Sequence, residues 1–167
     1  MNNYRLINVF LLLTAVVAIS FAFFYLQREL GLFPCPLCIF QRIGIMVMGV
    51  FAFFAVLFNP KNKGFRLFLW LGSLSGVVWT AVVAARHTWI QNLPPDQTPA
   101  CGPGLDYWVD TMPMFDVVKE VFRGSGECAT IEWTLLGMSI PMQTFLLSIF
   151  LILVHLLLLR KIVREKG

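Results

Sequence analysis

The chain has 167 residues, of which 58% are hydrophobic and only 13% charged, with a mean hydropathy of +0.77. An ordinary soluble domain is nearer half apolar and a quarter charged, so the composition excludes one and points to an integral membrane protein. The formal net charge of +4 does not indicate a nucleic-acid partner, because the basic residues gather at the edges of apolar runs and form no stripe interleaved with aromatics.

The first predicted span runs from Leu6 to Leu26, 21 residues without a charge. At 1.5 Å per residue that is enough to cross a hydrocarbon core of about 30 Å. Ala18-Ile19-Ser20 has the small residues of a signal-peptidase site, but the apolar run continues past it and is read as retained. A short connection, 27–38, leads to the second span, Ile39 to Phe58, interrupted only by Gln41 and Arg42. Asn59-Pro60-Lys61-Asn62-Lys63-Gly64 is a turn by composition. The third span is Leu67 to Ala85, and its Gly72-Ser73-Leu74-Ser75-Gly76 reads as a close-packing face toward a helix of the same chain.

A long polar segment, 86–140, follows. Within it Asp116 to Arg123 puts Val117, Val118, Val121 and Phe122 on one face. With Met112, Met114 and Phe115 ahead of it, this segment is expected to be a short helix in the membrane interface. The prolines and glycines around it, Pro94, Pro95, Pro99, Gly102, Pro103, Gly104, Gly124 and Gly126, predict a mobile loop. The fourth span covers 141–159. The expected fold is therefore an all-α, four-helix transmembrane bundle, a single integral membrane domain over 1–167, with one short interfacial helix.

Basic residues set the expected orientation. One side carries Arg5, Lys61, Lys63, Arg66, Arg160, Lys161, Arg164 and Lys166, 8 of the 13, against the single acid Glu165. The other side has 5 basic residues and 8 acids. Both termini are expected in the cytoplasm, and all four cysteines on the opposite, periplasmic side, where disulfides persist.

The chemistry is carried by Cys35-Pro36-Leu37-Cys38 at the mouth of the second span. Two thiols separated by two residues can close a small disulfide ring, and their reactivity follows thiolate formation. Cys38 falls in the first turn of a helix, where free N–H groups and the positive end of the macrodipole favour an anion. Arg42 lies one turn on, on the same face. A thioredoxin domain is excluded because the neighbours are apolar runs rather than alternating strands and helices. A Cys-x-x-Cys can also be half of a zinc site, but Cys101 and Cys128, with 26 residues between them, form no second pair. Redox chemistry is the reading taken. Sequence alone allows three pairings of the four cysteines, and a purely structural role for Cys101 and Cys128 stays open. His155, inside the fourth span, reads as a packed polar residue.

Cys35-Pro36-Leu37-Cys38 with Arg42, His87-Thr88 at the end of the third span, Cys101, and Ser125-Gly126-Glu127-Cys128-Ala129 with Trp133, Gly137 and Pro141 resemble the DsbB family of bacterial inner-membrane disulfide oxidases. The resemblance covers essentially the whole chain. It implies an electron path from DsbA, a soluble periplasmic oxidant, through this protein to a membrane quinone, ubiquinone or menaquinone. On that resemblance Cys101 exchanges with the partner's cysteine and Cys128 pairs with Cys35. Cys38 is then left as a thiolate beside the quinone. Arg42 would stabilise that thiolate and the quinone oxygen, and His87 would hydrogen-bond the quinone head. The alternative for His87 is an interfacial histidine satisfied by water and Arg86. Three other readings compete: a paralogous oxidase serving one dedicated partner, a vitamin K epoxide reductase relative, and a scaffold or metal carrier whose disulfides only hold loops. The second is disfavoured because in that family the Cys-x-x-Cys lies late in the chain.

Overall fold

The computed structural model describes residues 3–94 and 96–164. Pro95 of the predicted loop, and Glu165 and Lys166 of the charge count, lie outside the described residues. Among the described residues four helical stretches are long and apolar enough to cross a membrane: Asn3–Glu29, Pro36–Phe58, Lys63–Gln91 and Ile140–Arg164. These are the four expected spans, each longer than its apolar run because the helices continue into polar ends. We label the first α1 (Asn3–Ser20), which passes into a π-helical segment (Phe21–Glu29). The next two are α2 (Pro36–Phe58) and α3 (Lys63–Gln91), and the last is α7 (Ile140–Arg164).

Lipid tails are as apolar as leucine, so helices in a bilayer associate through close packing and hydrogen bonds rather than by hiding apolar surface. The pair α2 and α3 shows how. A Cβ placed on Gly76 would lie 2.7 Å from the backbone nitrogen of Met48, and one on Gly44 would lie 2.7 Å from the carbonyl of Gly76. The two backbones therefore touch, which only glycine permits, and the small-residue face of the third span packs within the chain as expected. Below this contact Leu11, Met48, Ala52, Val77 and Leu151 are buried together. His155 is fully buried, its Nε2 2.9 Å from Ser73 Oγ, which ties α7 to α3. Val17, 66% exposed on the outer face of α1, is a side chain for lipid to cover.

The long connection carries more structure than its composition indicates. It holds α4 (Leu105–Thr111), α5 (Met114–Arg123), α6 (Gly126–Ala129) and a hairpin of β1 (Thr134–Leu135) and β2 (Met138–Ser139). Thr134 pairs with Ser139, and Leu136 and Gly137 between the strands both have positive φ, as a two-residue hairpin turn demands. The short helix expected at 116–123 starts two residues earlier. Its Val117 and Val121 turn inward against Leu37, Val83 and Ile90, while Met114 and Phe115 stay exposed. Arg86 closes this helix, donating from Nε to Phe122 O at 2.9 Å and from Nη2 to Arg123 O at 3.2 Å. A cation placed on the last carbonyls suits the negative end of the helix. The loop is thus folded onto the end of the bundle that carries the cysteines.

Candidate functional site

Cys35 is the N-cap of α2, with φ −66° and ψ 164°, and Pro36 fills the first helical position. Proline suits that position because its missing N–H would have had no partner there. Caps are ordinarily Ser, Thr, Asp or Asn. Here the Cys35 sulfur does the same work, accepting from the Cys38 backbone N–H at 3.4 Å. The cap geometry brings the two sulfurs of the motif 3.0 Å apart.

From α3, His87 reaches the same point. It is buried, 2% exposed, with Nε2 3.8 Å from Cys35 Sγ. Nε2 also lies 3.1 Å from Cys128 O, and Nδ1 lies 3.0 Å from Gln41 Nε2. These partners assign the tautomer: Nε2–H donates to the Cys128 carbonyl and Nδ1 accepts from the Gln41 amide. The interfacial histidine satisfied by Arg86 and water is not what forms, since Arg86 is engaged with α5 and His87 is enclosed.

Cys128 is buried in α6 and Cys101 is exposed; all four cysteines are free thiols. Cys128 is buried in the same cluster as Cys35, and its carbonyl meets the His87 Nε2 that lies 3.8 Å from Cys35 Sγ. Ser125 supports it from below, with its Oγ 3.6 Å from Cys128 Sγ. Cys101 is held close by, because Gly126 N–H donates to Ala100 O at 3.1 Å and a Cβ on Gly126 would lie 2.9 Å from the Cys101 sulfur. A chain of sulfurs therefore leads from the exposed Cys101 segment, through Cys128, to Cys35 and Cys38. The neighbouring Cys128 and Cys38 thiols and burial all push the Cys35 pKa up. The Cys35 thiol in turn brings that of Cys128 down to about 6, against the opposing effect of burial and with help from Ser125.

Two clefts meet at Cys38. One, about 130 Å³, is mostly apolar, walled by Ala18, Leu26, Ile45 and Leu147, with Cys38 and Arg42 at its polar end. Through Ala18, Ala22, Leu26 and Leu147 it shares walls with a groove of about 490 Å³ between α1 and α7 that also takes in Phe10 and Leu13. Arg42 donates from Nη1 to Gln27 Oε1 at 2.9 Å and from Nη2 to Ala22 O at 3.3 Å, both in the π-helical segment. Segments of that winding recur at functional sites. The other cleft, about 220 Å³, is lined by Cys35, Cys38, His87 and the carboxylates Glu127 and Glu132. His87 opens onto this second cleft, Arg42 onto the first, and Cys38 onto both.

Sequence reasoning singled out Cys35, Cys38, Cys101, Cys128, Arg42 and His87, and five of the six converge here, with Cys101 at the surface beside them. It passed over Gln41, read only as an interruption of a span, and Glu132. Gln41 was detectable: a buried amide in an apolar helix is costly without a partner, and this one is 5% exposed and bonded to His87. Glu132 had no local signal, because only the fold of the loop brings it to Cys38.

The family model of "Disulfide bond formation protein DsbB" matches residues 4–158. A protein of Psychrobacter arcticus named "Disulfide bond formation protein B" is 61% identical over 164 residues, covering 98% of this chain and 93% of its own. A protein of the same name from Acinetobacter baumannii is 48% identical, covering 92% of this chain and 90% of its own. Another from Nitrosococcus oceani is 42% identical over 127 residues.

Proposed function

Because the chain belongs to the DsbB family of disulfide bond formation proteins, we propose that it reoxidises a soluble DsbA-type thiol oxidant and passes the electrons to a membrane quinone, ubiquinone or menaquinone. The observation that supports this most is the pair of Cys35 and Cys38 sulfurs 3.0 Å apart at the head of an apolar cleft, with one His87 nitrogen meeting both Cys35 Sγ at 3.8 Å and the Cys128 carbonyl at 3.1 Å. In this reading the protein sits in the bacterial inner membrane with its termini in the cytoplasm and its cysteines in the periplasm.

The exchange begins with Cys101 disulfide-bonded to Cys128 and Cys35 to Cys38. A partner thiolate attacks Cys101, forming a mixed disulfide and releasing Cys128 as a thiolate. Cys128 attacks Cys35, so a Cys128–Cys35 bond forms and Cys38 leaves as a thiolate. The partner's second thiolate breaks the mixed disulfide, leaving with its own disulfide and freeing Cys101. Cys101 then attacks Cys128, restoring the first pair and releasing Cys35. Cys35 and Cys38 are now both reduced, and closing their disulfide gives up two electrons and two protons. Each exchange depends on thiolate fraction and access.

The apolar cleft suits a quinone: its walls are mostly apolar, it runs into a lipid-facing groove, and among its polar groups are the Cys38 thiol, the Arg42 guanidinium, the Gln41 amide and the Glu132 carboxylate. A bound quinone supplies a lipid-soluble acceptor for two electrons and two protons. Arg42 and Cys38 would hold its head. Arg42 keeps its charge available, because the two groups bonded to it, Gln27 Oε1 and Ala22 O, are neutral. His87 acts as a positioning residue, fixing the Cys128 segment against Cys35 through the Cys128 carbonyl.

The test is turnover of the detergent-purified protein with added quinone and a reduced DsbA-type protein. Oxidation of the partner, abolished by Cys38→Ser, is expected. A disulfide-stapled scaffold would give no turnover with either chain.

A further inference from the structure

Spacing along the chain offers no second pair of metal ligands, but the fold brings them to Cys35 and Cys38 from elsewhere. The donor atoms of Cys35, Cys38 and His87 all lie within 4.8 Å of one another. Tetrahedral zinc, with Zn–S about 2.3 Å and Zn–N about 2.0 Å, holds its donors roughly 3.5 to 3.8 Å apart. Cys35 Sγ and His87 Nε2 are already 3.8 Å apart, and the two sulfurs, at 3.0 Å, need to open by only about 0.8 Å. Cys128, buried in the same cluster and with its carbonyl 3.1 Å from His87 Nε2, stands next in line.

We infer that the fully reduced protein binds one soft divalent cation of the zinc class through Cys35, Cys38 and His87, with Cys128 as fourth donor. Thiolate and imidazole donors select zinc over magnesium or calcium, which take oxygen. The surroundings suit the ion in two further ways. Gln41 can serve His87 in either tautomer: turning its amide over lets Nδ1–H donate to Oε1 and frees Nε2 for the metal, the outer-shell arrangement common for ligating histidines. The donors also open onto the cleft of about 220 Å³ that carries Glu127 and Glu132, so the path to the site is lined with negative charge.

Binding is gated by redox state. Sulfurs joined in a disulfide have no thiolate to offer, so the ion and the Cys35–Cys38 bond compete for the same atoms. A bound ion holds the pair reduced and out of the electron path. The inference does not rest on the electron-transfer reading, since a scaffold with these side chains would bind the ion equally.

The test uses the full chain in detergent, reduced with a phosphine that is then removed, and titrated with Co²⁺ as an optical probe. One equivalent giving a thiolate-to-cobalt charge-transfer band, bleached by Zn²⁺, is expected. The band should be absent from protein whose thiols have been oxidised, and His87→Ala should weaken binding at least about tenfold. A wild-type measurement covers the case of a variant that fails to fold: one equivalent of Zn²⁺ should shield Cys35 and Cys38 from alkylation, read by mass spectrometry, and leave Cys101 reactive. A silent titration overturns the inference, as does a band that survives oxidation. Equal binding by a folded His87→Ala, or shielding of Cys101 in place of the motif, does the same.

Discussion

Arg42 reaches across from α2 to Gln27, donating from Nη1 to Oε1 at 2.9 Å, and so sets its guanidinium beside Cys38 at the end of the apolar cleft. A cation at the edge of lipid is costly without a partner or a task, and both of its observed acceptors are neutral. Its charge is left for an electron-rich oxygen in the cleft. A charge-assisted hydrogen bond contributes about 1.5 to 3 kcal/mol, roughly tenfold to a hundredfold in binding. Arg42→Ala should raise the apparent quinone KM by that factor and leave exchange with the thiol partner near wild type. Gln27→Ala, which removes only a neutral bond holding the guanidinium in place, should raise it about fivefold. Unchanged quinone kinetics in Arg42→Ala would remove that residue from the site.

The pairing of Cys35 with Cys128 predicts a titration. The Cys35 thiol is the largest cause of the fall in the Cys128 pKa from 9.0 to about 6. In a reduced Cys38→Ala, Cys101→Ala protein, ultraviolet thiolate absorbance should rise by one thiolate with a midpoint near pH 6 while Cys35 stays protonated. Adding Cys35→Ala should move the midpoint up toward 9. The sign for stability follows. The group is more acidic when folded, so its contribution is full above the ordinary thiol value, shrinks as pH falls from there, and is gone below about 6. A midpoint near 9 with Cys35 present would sink this role for Cys35.

Much of this architecture was legible because its signals are local. Twenty uncharged residues between polar ends can hardly be anything but a span, and Gly72 to Gly76 announced a close helix contact. The Cys35 motif stood out through its spacing, two thiols two residues apart at the mouth of a span. What escaped was set by contacts between distant segments. Composition around Pro99, Gly102 and Gly124 predicts a mobile loop, yet Trp108, Val117 and Val121 find burial against Leu37 and Ile90, residues no local pattern associates with them. The winding change at Phe21 leaves no mark in an apolar run that reads equally well as ordinary helix. The neighbourhood of His87 was likewise invisible, since Gln41 is 46 residues away and Cys128 is 41.

The contact between α2 and α3 gives a prediction about stability. A Cβ on Gly76 would crowd the Gly44 carbonyl and the Met48 nitrogen, both backbone atoms that cannot swing aside. Overpacking of this kind costs about 1 to 3 kcal/mol. Gly76→Ala should lower the thermal midpoint in detergent by several degrees. Gly64→Ala at the start of α3, where an added methyl meets nothing nearer than Asn62 Oδ1 at 3.4 Å, should leave it unchanged or slightly raised. Equal midpoints for the two variants would mean that the helices separate freely at this point.

Gln41 offers a way to separate positioning from bulk stability at the site. Its amide is what fixes the ring of His87, and the ring in turn holds the Cys128 carbonyl next to Cys35. Gln41→Leu keeps the volume but strips Nδ1 of its partner, at a cost of about 1 to 3 kcal/mol for a buried polar group left unpaired. If the histidine only fills space, turnover should follow the stability loss and recover on cooling. If it aligns the sulfurs, the slowed step should be the passage from Cys128 to Cys35, followed in single-turnover mixing by trapping the mixed disulfide with the partner. That species should accumulate in Gln41→Leu at temperatures where the variant is fully folded. Gln41→Glu, whose ionised carboxylate only accepts and so cannot replace the amide N–H given to Nδ1, should not restore the rate. A folded Gln41→Leu protein with wild-type exchange would show that the ring needs no second partner to do its work.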